Sequence, residues 1–482
     1  MRCLLDAASQ RIMGILETLV TQEDWITISE LAALIGASER TVAGDVNLIQ
    51  RQWGPRLHIE ISTKYGVRMQ NQSISAIGIV FKDLFNASTT LSWLEELLFS
   101  PGQGIEFYEE RLFVSRSTLL RRLPKINRFF SGRKMSVRGK NNRYEITGKD
   151  EQYLRQFYAG FLLELYGLNL QKHPIDLELA KITQIVQQIL AKNLSENEIA
   201  CTCNLEIAVA YYTMFYIVSL MRENAGYQLP SAHLIEEEIS QEDWNYIRKN
   251  FSAISIESLR PIHAFIVDQF HGWDSKEEEQ LVSDESEAFF KGVFEAMDIP
   301  VDRQTLKQLR YILKTVYLTA KFRPYATSML FDRIHIFSLS IQKHNAPVYK
   351  LIQEHLELFN RKIRFDMSRQ FPDILYWCSL ACPAFTSYTA TKSVLVVSDL
   401  GLQHAEYLAG RLSSFSLESK KPILHATAAA YPAGLELIRP EEYDIIVTTI
   451  PELPIRHKNI FVINDFLSYK NFYEIYQSCL PD

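Results

Sequence analysis

The sequence predicts a multidomain, mainly α-helical chain: two winged helix-turn-helix domains at the N-terminal end, two helical bundles, and a small C-terminal α/β domain. Three observations carry that reading. Within the first 150 residues, two stretches of one kind recur at an offset of 77 residues. From Asp150 to about Phe385 the apolar residues keep a helical spacing almost throughout. Beyond residue 389, short β-branched runs alternate with helical patterns. At 482 residues, 47% hydrophobic and 22% charged, the chain is long enough for several separate cores. The expected domains are residues 1–72, 73–150, 151–275, 276–388 and 389–482.

The repeat is visible when Ser38 is laid on Ser115. ISELAALIGASERTVAGDVNLIQR (Ile28 to Arg51) and EFYEERLFVSRSTLLRRLPKINRF (Glu106 to Phe129) each read as a short helix, a tight turn ending in Ser, and a longer helix. Both serines suit an N-cap, where a hydroxyl accepts from free first-turn amides. Val42, Val46 and Ile49 fall on one side of the first long helix, as do Leu119, Leu123, Ile126 and Phe130 in the second. Those are core faces. Pro124 lies inside the second helix, where it removes a backbone bond and is expected to bend the helix or end it early.

The opposite faces offer chemistry suited to a major groove. The first presents Arg40, Gly44, Asn47 and Arg51, with Thr41 beside them, although Glu39 and Asp45 also fall on or near that side. The second presents Ser117, Arg121 and Arg128, with Arg116, Thr118, Arg122 and Lys125 close by. Arginine can fork onto guanine edges or phosphates, and asparagine can pair with adenine. LHIEISTKYGVRMQ (Leu57 to Gln70) and KMSVRGKNNRYEITG (Lys134 to Gly148) alternate around turn residues and read as two-stranded wings. Lys64 sits near the first tip; Arg133, Lys134, Arg138, Lys140, Asn142 and Arg143 flank or form the second.

The net charge of -6 conceals an asymmetry. Residues 1–150 hold 20 Lys+Arg against 16 Asp+Glu, which leaves 31 against 41 for the remainder. Between Arg111 and Lys149 twelve basic residues face a single acidic one, Glu145. The second helix and its wing would present about eight cations to phosphate, so this module is the better candidate for the main duplex contact.

The middle carries amphipathic stretches such as EQYLRQFYAGFLLELY and RQTLKQLRYILKTVYLTAKF, with a boundary expected between Trp273 and Asp284 where DSKEEEQ breaks the periodicity. Its histidines (His173, His233, His263, His271, His335, His344, His355) show no metal spacing. An imidazole can accept a phosphoryl group. In the last domain VLVVSDLG (Val394 to Gly401), then strands at 423–426, 444–448 and 460–463 and helices at 403–415 and 466–479, imply a parallel or mostly parallel sheet. Its first loop, Ser398 to His404, lies at the carboxyl edge but has neither a P-loop nor a GxGxxG pattern. Six scattered cysteines without paired CxxC units read as free thiols. No run of about 18 apolar residues and no secretory leader pattern occur, so no membrane partner and a cytoplasmic location are expected. No cofactor is expected.

This order of parts resembles the Mga/AtxA family of Gram-positive global and virulence regulators, most specifically through LFVSRSTLLRRL (Leu112 to Leu123) and VLVVSDLG. The resemblance covers essentially the whole chain. It implies two phosphotransferase-system regulation domains in the middle and an enzyme IIB-like domain at the end. It further implies binding to double-stranded promoter DNA, homodimers or higher self-association, and control through phosphocarrier proteins acting on histidines; His335 and His344 are the candidates nearest a plausible helix. Two departures stand out. Where competent IIB domains carry a phosphoryl-accepting Cys this chain has Ser398, which reads as a retained interaction module rather than an enzyme. EIAVAYYTMFYIVSLMREN holds Tyr211-Tyr212 where the family's regulation helix has a His. Alternatives are a phosphotransferase component, which the absent Cys opposes, and an RNA-binding antiterminator, which the paired helix-turn-helix patterns oppose.

Overall fold

The chain opens with α1 (Ala7–Thr21), capped by Asp6, whose carboxylate accepts from the Ser9 amide. It continues through α2 (Ile28–Ile35), α3 (Glu39–Leu57) and a hairpin of β1 (Ile59–Ser62) and β2 (Gly66–Met69). The computed structural model describes residues 1–22, 24–70, 73–148, 150–166, 177–201, 205–229, 239–323, 331–387, 392–414, 424–432, 434 and 438–478. Lys149, His173, His233, Cys203 and Cys479 lie outside the described residues, as do the side chains of Cys201 and His344. The described chain divides into two units, Met1–Ser275 with Tyr317–Arg333, and Lys276–Val316 with Ile334–Asp482.

In the first unit α4 (Ile74–Asn86) and α5 (Thr89–Phe99) lead into the second module. That module is β3 (Gln103–Gly104), α6 (Ile105–Leu112), α7 (Arg116–Ser131), β4 (Met135–Lys140) and β5 (Arg143–Gly148). The three strands form one antiparallel sheet in the order β3-β5-β4. Asn141 and Asn142 both sit at positive φ (53° and 60°), the backbone that a two-residue type I′ turn demands. Helices α8 (Glu151–Tyr166), α9 (Leu179–Asn193), α10 (Glu196–Cys201), α11 (Leu205–Asn224), α12 (Gln241–Asn250) and α13 (Leu259–His271) follow.

A buried ionic joint fastens the second module to these helices. Arg155 and Arg222 are fully buried. Arg222 donates to both Glu151 oxygens at 2.7 and 2.8 Å, and its guanidinium lies 3.7 Å from the centre of the Tyr227 ring. Arg155 donates to Glu223 at 2.8 Å and to the Tyr227 carbonyl at 2.7 Å. The Tyr227 hydroxyl in turn donates to Glu145 of β5, so wing and helices share one network. Burial, then the Glu145 carboxylate, pushes the Tyr227 phenol up to about 12.

The second unit contains α14 (Lys276–Ala296), the first part of α15 (Arg303–Phe322), α16 (Arg333–His344), α17 (Ala346–Ile363), α18 (Phe371–Ala381) and α19 (Ala384–Ser387). It ends in β6 (Lys392–Val397), α20 (Leu402–Ser413), β7 (Leu424–Ala429), β8 (Ile445–Thr448), β9 (Ile460–Val462) and α21 (Tyr469–Gln477). All described pairings of this sheet are parallel, in the order β7-β6-β8-β9. Val394, Val396, Ile445 and Val447 face α20 and α21, while Leu395, Val397 and Ile446 fill the other side. That explains why the strands read as continuous apolar runs.

Candidate nucleic-acid interface

Each long helix of the repeat buries its predicted stripe. Val42, Val46 and Ile49 are buried in α3, and Leu119, Ile126 and Phe130 in α7, with Leu123 half-buried. The helix α7 runs through Pro124 to Ser131 rather than ending early. Pro124 lies on the exposed face, where the carbonyl it frees can reach water, and three buried anchors hold the helix on either side of it.

The two N-caps differ. The Ser38 hydroxyl accepts from the Thr41 amide at 3.2 Å. Ser115 makes no such bond; its hydroxyl meets those of Ser117 and Thr118, and Glu109 accepts from the Arg116 amide instead. Asp45, placed by helical spacing near the exposed side of α3, is buried and takes two bonds from Arg11 of α1 at 2.7 and 3.3 Å. With Asp45 buried, the outer face of α3 carries one negative charge fewer than helical spacing suggests, and Arg40, Gly44, Asn47 and Arg51 are all exposed there. A groove of about 270 Å³ separates α3 from its wing, with Asn47 on one wall and Lys64 on the other.

In the second module, Ser117, Arg121 and Arg128 lie on one exposed stripe of α7. Lys134, Arg138, Lys140 and Arg143 are exposed at and along the wing. None of these six cations pairs with a carboxylate among the described residues. The wing is tied to the helix by Asn127, which donates to the Val137 carbonyl at 3.0 Å and accepts from its amide at 2.7 Å. Both cationic surfaces therefore share one rigid support. Sequence patterning gave no role to Asn127, because its partner lies ten residues away on another element.

Other predicted residues are committed to the fold. Lys125 donates to the Leu5 carbonyl at 2.8 Å. Arg133 stacks on Phe129 at 4.2 Å from its centre, and Arg122 is half-buried with its Nε fully enclosed. Thr118 is half-buried. Arg116 is exposed but forms an ion pair with Glu106 at 3.1 Å, and Asn142 donates to the other Glu106 oxygen at 2.6 Å. Glu106 thus bridges the start of α7 and the wing tip. Its own amide, then Asn142 and Arg116, hold its carboxyl below the usual range. The acidic EFYEE preceding the basic stretch was its only trace in sequence.

Elsewhere, His335 is exposed on α16, and His344 closes that helix. His263 is buried against Tyr216, with 2.9 Å between Nε2 and the hydroxyl. Ser398 is fully buried, its hydroxyl 2.8 Å from His404 Nδ1 and 3.2 Å from Thr449. Among the described residues no cluster of His, Cys, Asp or Glu could hold a metal ion, and no helix is long and apolar enough to cross a membrane.

Residues 70–162, which span α4 to most of α8 and hold the second module whole, match the Mga helix-turn-helix domain family. The chain is 32% identical over 166 residues to a Streptococcus pneumoniae serotype 4 protein named "Putative trans-acting regulator", covering 34% of this chain and 33% of that one. It is 23% identical over 224 residues to the capsule synthesis positive regulator AcpB of Bacillus anthracis, covering 46% and 43% respectively. The matched stretches thus span less than half the length of these relatives. Residues 70–162 thus resemble a Mga helix-turn-helix domain, and the chain is similar to two proteins that are named as regulators.

Proposed function

We propose that the chain is a DNA-binding transcriptional regulator whose main contact with promoter duplex is the face formed by α7 and the β4–β5 wing. The observation that carries this is the run of exposed cations, Arg121 and Arg128 on the helix and Lys134, Arg138, Lys140 and Arg143 on the wing, held in fixed relation by Asn127. A recognition helix with a basic wing can enter the major groove while the wing follows the adjacent phosphates. The first module would add Arg40, Thr41, Asn47, Arg51 and Lys64 as a weaker second contact. The regulator names of the relatives support this reading and favour a non-enzymatic protein.

The finer parts extend that proposal. Residues 151–275 and 276–388 would act as phosphotransferase-system regulation domains, with exposed His335, and His344 nine residues further on, as sites for phosphocarrier proteins in the cytoplasm. Residues 389–482 would act as an enzyme IIB-like interaction module. The buried hydroxyl of Ser398 argues against phosphoryl relay there. Exposed Leu400, Phe466, Tyr469 and Tyr473 supply apolar surface for self-association. Mapping bound promoters across the genome, with wild type against Arg121→Ala and Arg128→Ala, tests the core of the proposal. Loss of promoter occupancy in the variants at equal protein level is expected, and unchanged occupancy would remove α7 from the interface.

A further inference from the structure

The turn between α6 and α7 contains a residue that serves no purpose inside the fold. The short helix before each long helix, α2 and α6, ends with the same backbone device. In the first, Gly36 sits at φ 70°, ψ 38°, and its amide and that of Ala37 both reach the Ala32 carbonyl. In the second, Phe113 sits at φ 53°, ψ 42°, and its amide and that of Val114 both reach the Glu109 carbonyl. Left-handed backbone is easy for glycine and unfavourable for a bulky side chain. The neighbours Leu112 and Val114 are half-buried and pack on the core. Phe113 does not: it is 94% exposed, the most exposed of the large hydrophobic residues described. A strained backbone and an apolar ring in water both count against the free protein, and no packing offsets them.

We infer that Phe113 is a duplex-contacting residue, an apolar ring carried at the leading end of α7 to lie against thymine methyl and deoxyribose surfaces. This rests on the reading of α7 as a DNA-recognition helix. Phe113 stands two residues before the N-cap Ser115, at the end of the helix that enters the groove in this motif. The Arg116 amide at that end is taken by Glu109, but exposed Arg121 and Arg128 follow on the same helix, and the segment Arg111 to Lys149 carries twelve basic residues against one acidic. A polyanion is therefore the occupant that the surroundings favour. Thymine methyls and sugar edges are the parts of a duplex that reward an apolar ring rather than a charge.

The test uses the full chain and a duplex selected from a random-sequence library by the wild type. Phe113→Gly restores the residue found at the matching turn, so its melting temperature should equal or exceed that of the wild type. Phe113→Asn, which also tolerates the left-handed backbone, serves as a second folded variant. Both should lose roughly tenfold in affinity for the selected duplex, with weakened preference for thymine at positions beside the recognition-helix site. Wild-type affinity in both variants would overturn the inference, including the case where they lose a cross-linked protein partner instead. Arg121→Ala and Arg128→Ala separate the two levels. If these weaken binding and the Phe113 variants do not, only the ring's role falls; if the wild type selects no duplex, the DNA reading falls with it.

Discussion

Replacing Arg222 with Met should destabilise the first unit severely, because it breaks a buried ion pair and leaves the other charge behind. The Arg222 side chain is 1% exposed and both of its carboxylate bonds end on Glu151, which is 15% exposed. Removing one partner of a buried pair costs about 3–5 kcal/mol. Glu151 keeps some access to water and one bond from Arg155, so the lower end, about 3 kcal/mol, is expected. For a unit of roughly 290 residues that corresponds to a fall in melting temperature of about 5 °C. Calorimetry on the full chain reads it as a shift of the transition assigned to the first unit. A double variant, Arg222→Met with Glu151→Leu, removes the stranded charge and should recover more than half of the loss. If Arg222→Met lies within about 1 kcal/mol of the wild type, or the double variant is no better than the single one, the joint is not the anchor described above.

Three further outcomes follow from particular contacts. Gly66→Ala should cost about 3 kcal/mol or more and unfold the first wing, seen as lost amide protection in β1 and β2, because φ is +97° and a Cβ would stand 2.1 Å from the Ile26 carbonyl oxygen. Glu106→Gln should tighten duplex binding by roughly two- to fivefold and steepen its salt dependence by about 1, since it frees Arg116 from its carboxylate. His355 packs on Gly292 and the edge of Phe289, and burial lowers its pKa from 6.5. Its unfolded state therefore binds the proton first, so stability of the second unit is full above 6.5 and declines as the pH falls through 6.5 toward the lower folded value. His355→Gln should abolish that part of the acid sensitivity in melting curves taken from pH 7.5 to 5.5, and an unaltered pH profile would count against it.

Local periodicity revealed much of this fold. The stripes Val42, Val46, Ile49 and Leu119, Ile126, Phe130 were readable because helix geometry repeats over a few residues. The wings were readable because alternation and the Asn141-Asn142 turn lie within a dozen positions of each other. What stayed hidden was long-range. Nothing near Asp45 names Arg11 as its partner, and nothing near Lys125 names the Leu5 carbonyl, 120 residues away, to which it donates. Arg155 and Arg222 are the strongest case. Each is charged and would be placed on an outer face by composition, yet both are buried because Glu151 and Glu223 converge on them from two helices. The second cationic face was legible as a density of charge. Which of its cations are spent internally was not, since that depends on contacts between elements.

The central claim is that six exposed cations of α7 and its wing, Arg121, Arg128, Lys134, Arg138, Lys140 and Arg143, lie against phosphate when duplex is bound. Equilibrium binding of a selected promoter duplex, titrated across salt concentrations, tests it most directly. If all six engage, the slope of log K against log salt should be about -5, and changing Arg138, Lys140 and Arg143 together to Ala should flatten it by about 3. A wild-type slope near zero, or a slope that the triple variant leaves untouched, would contradict the account.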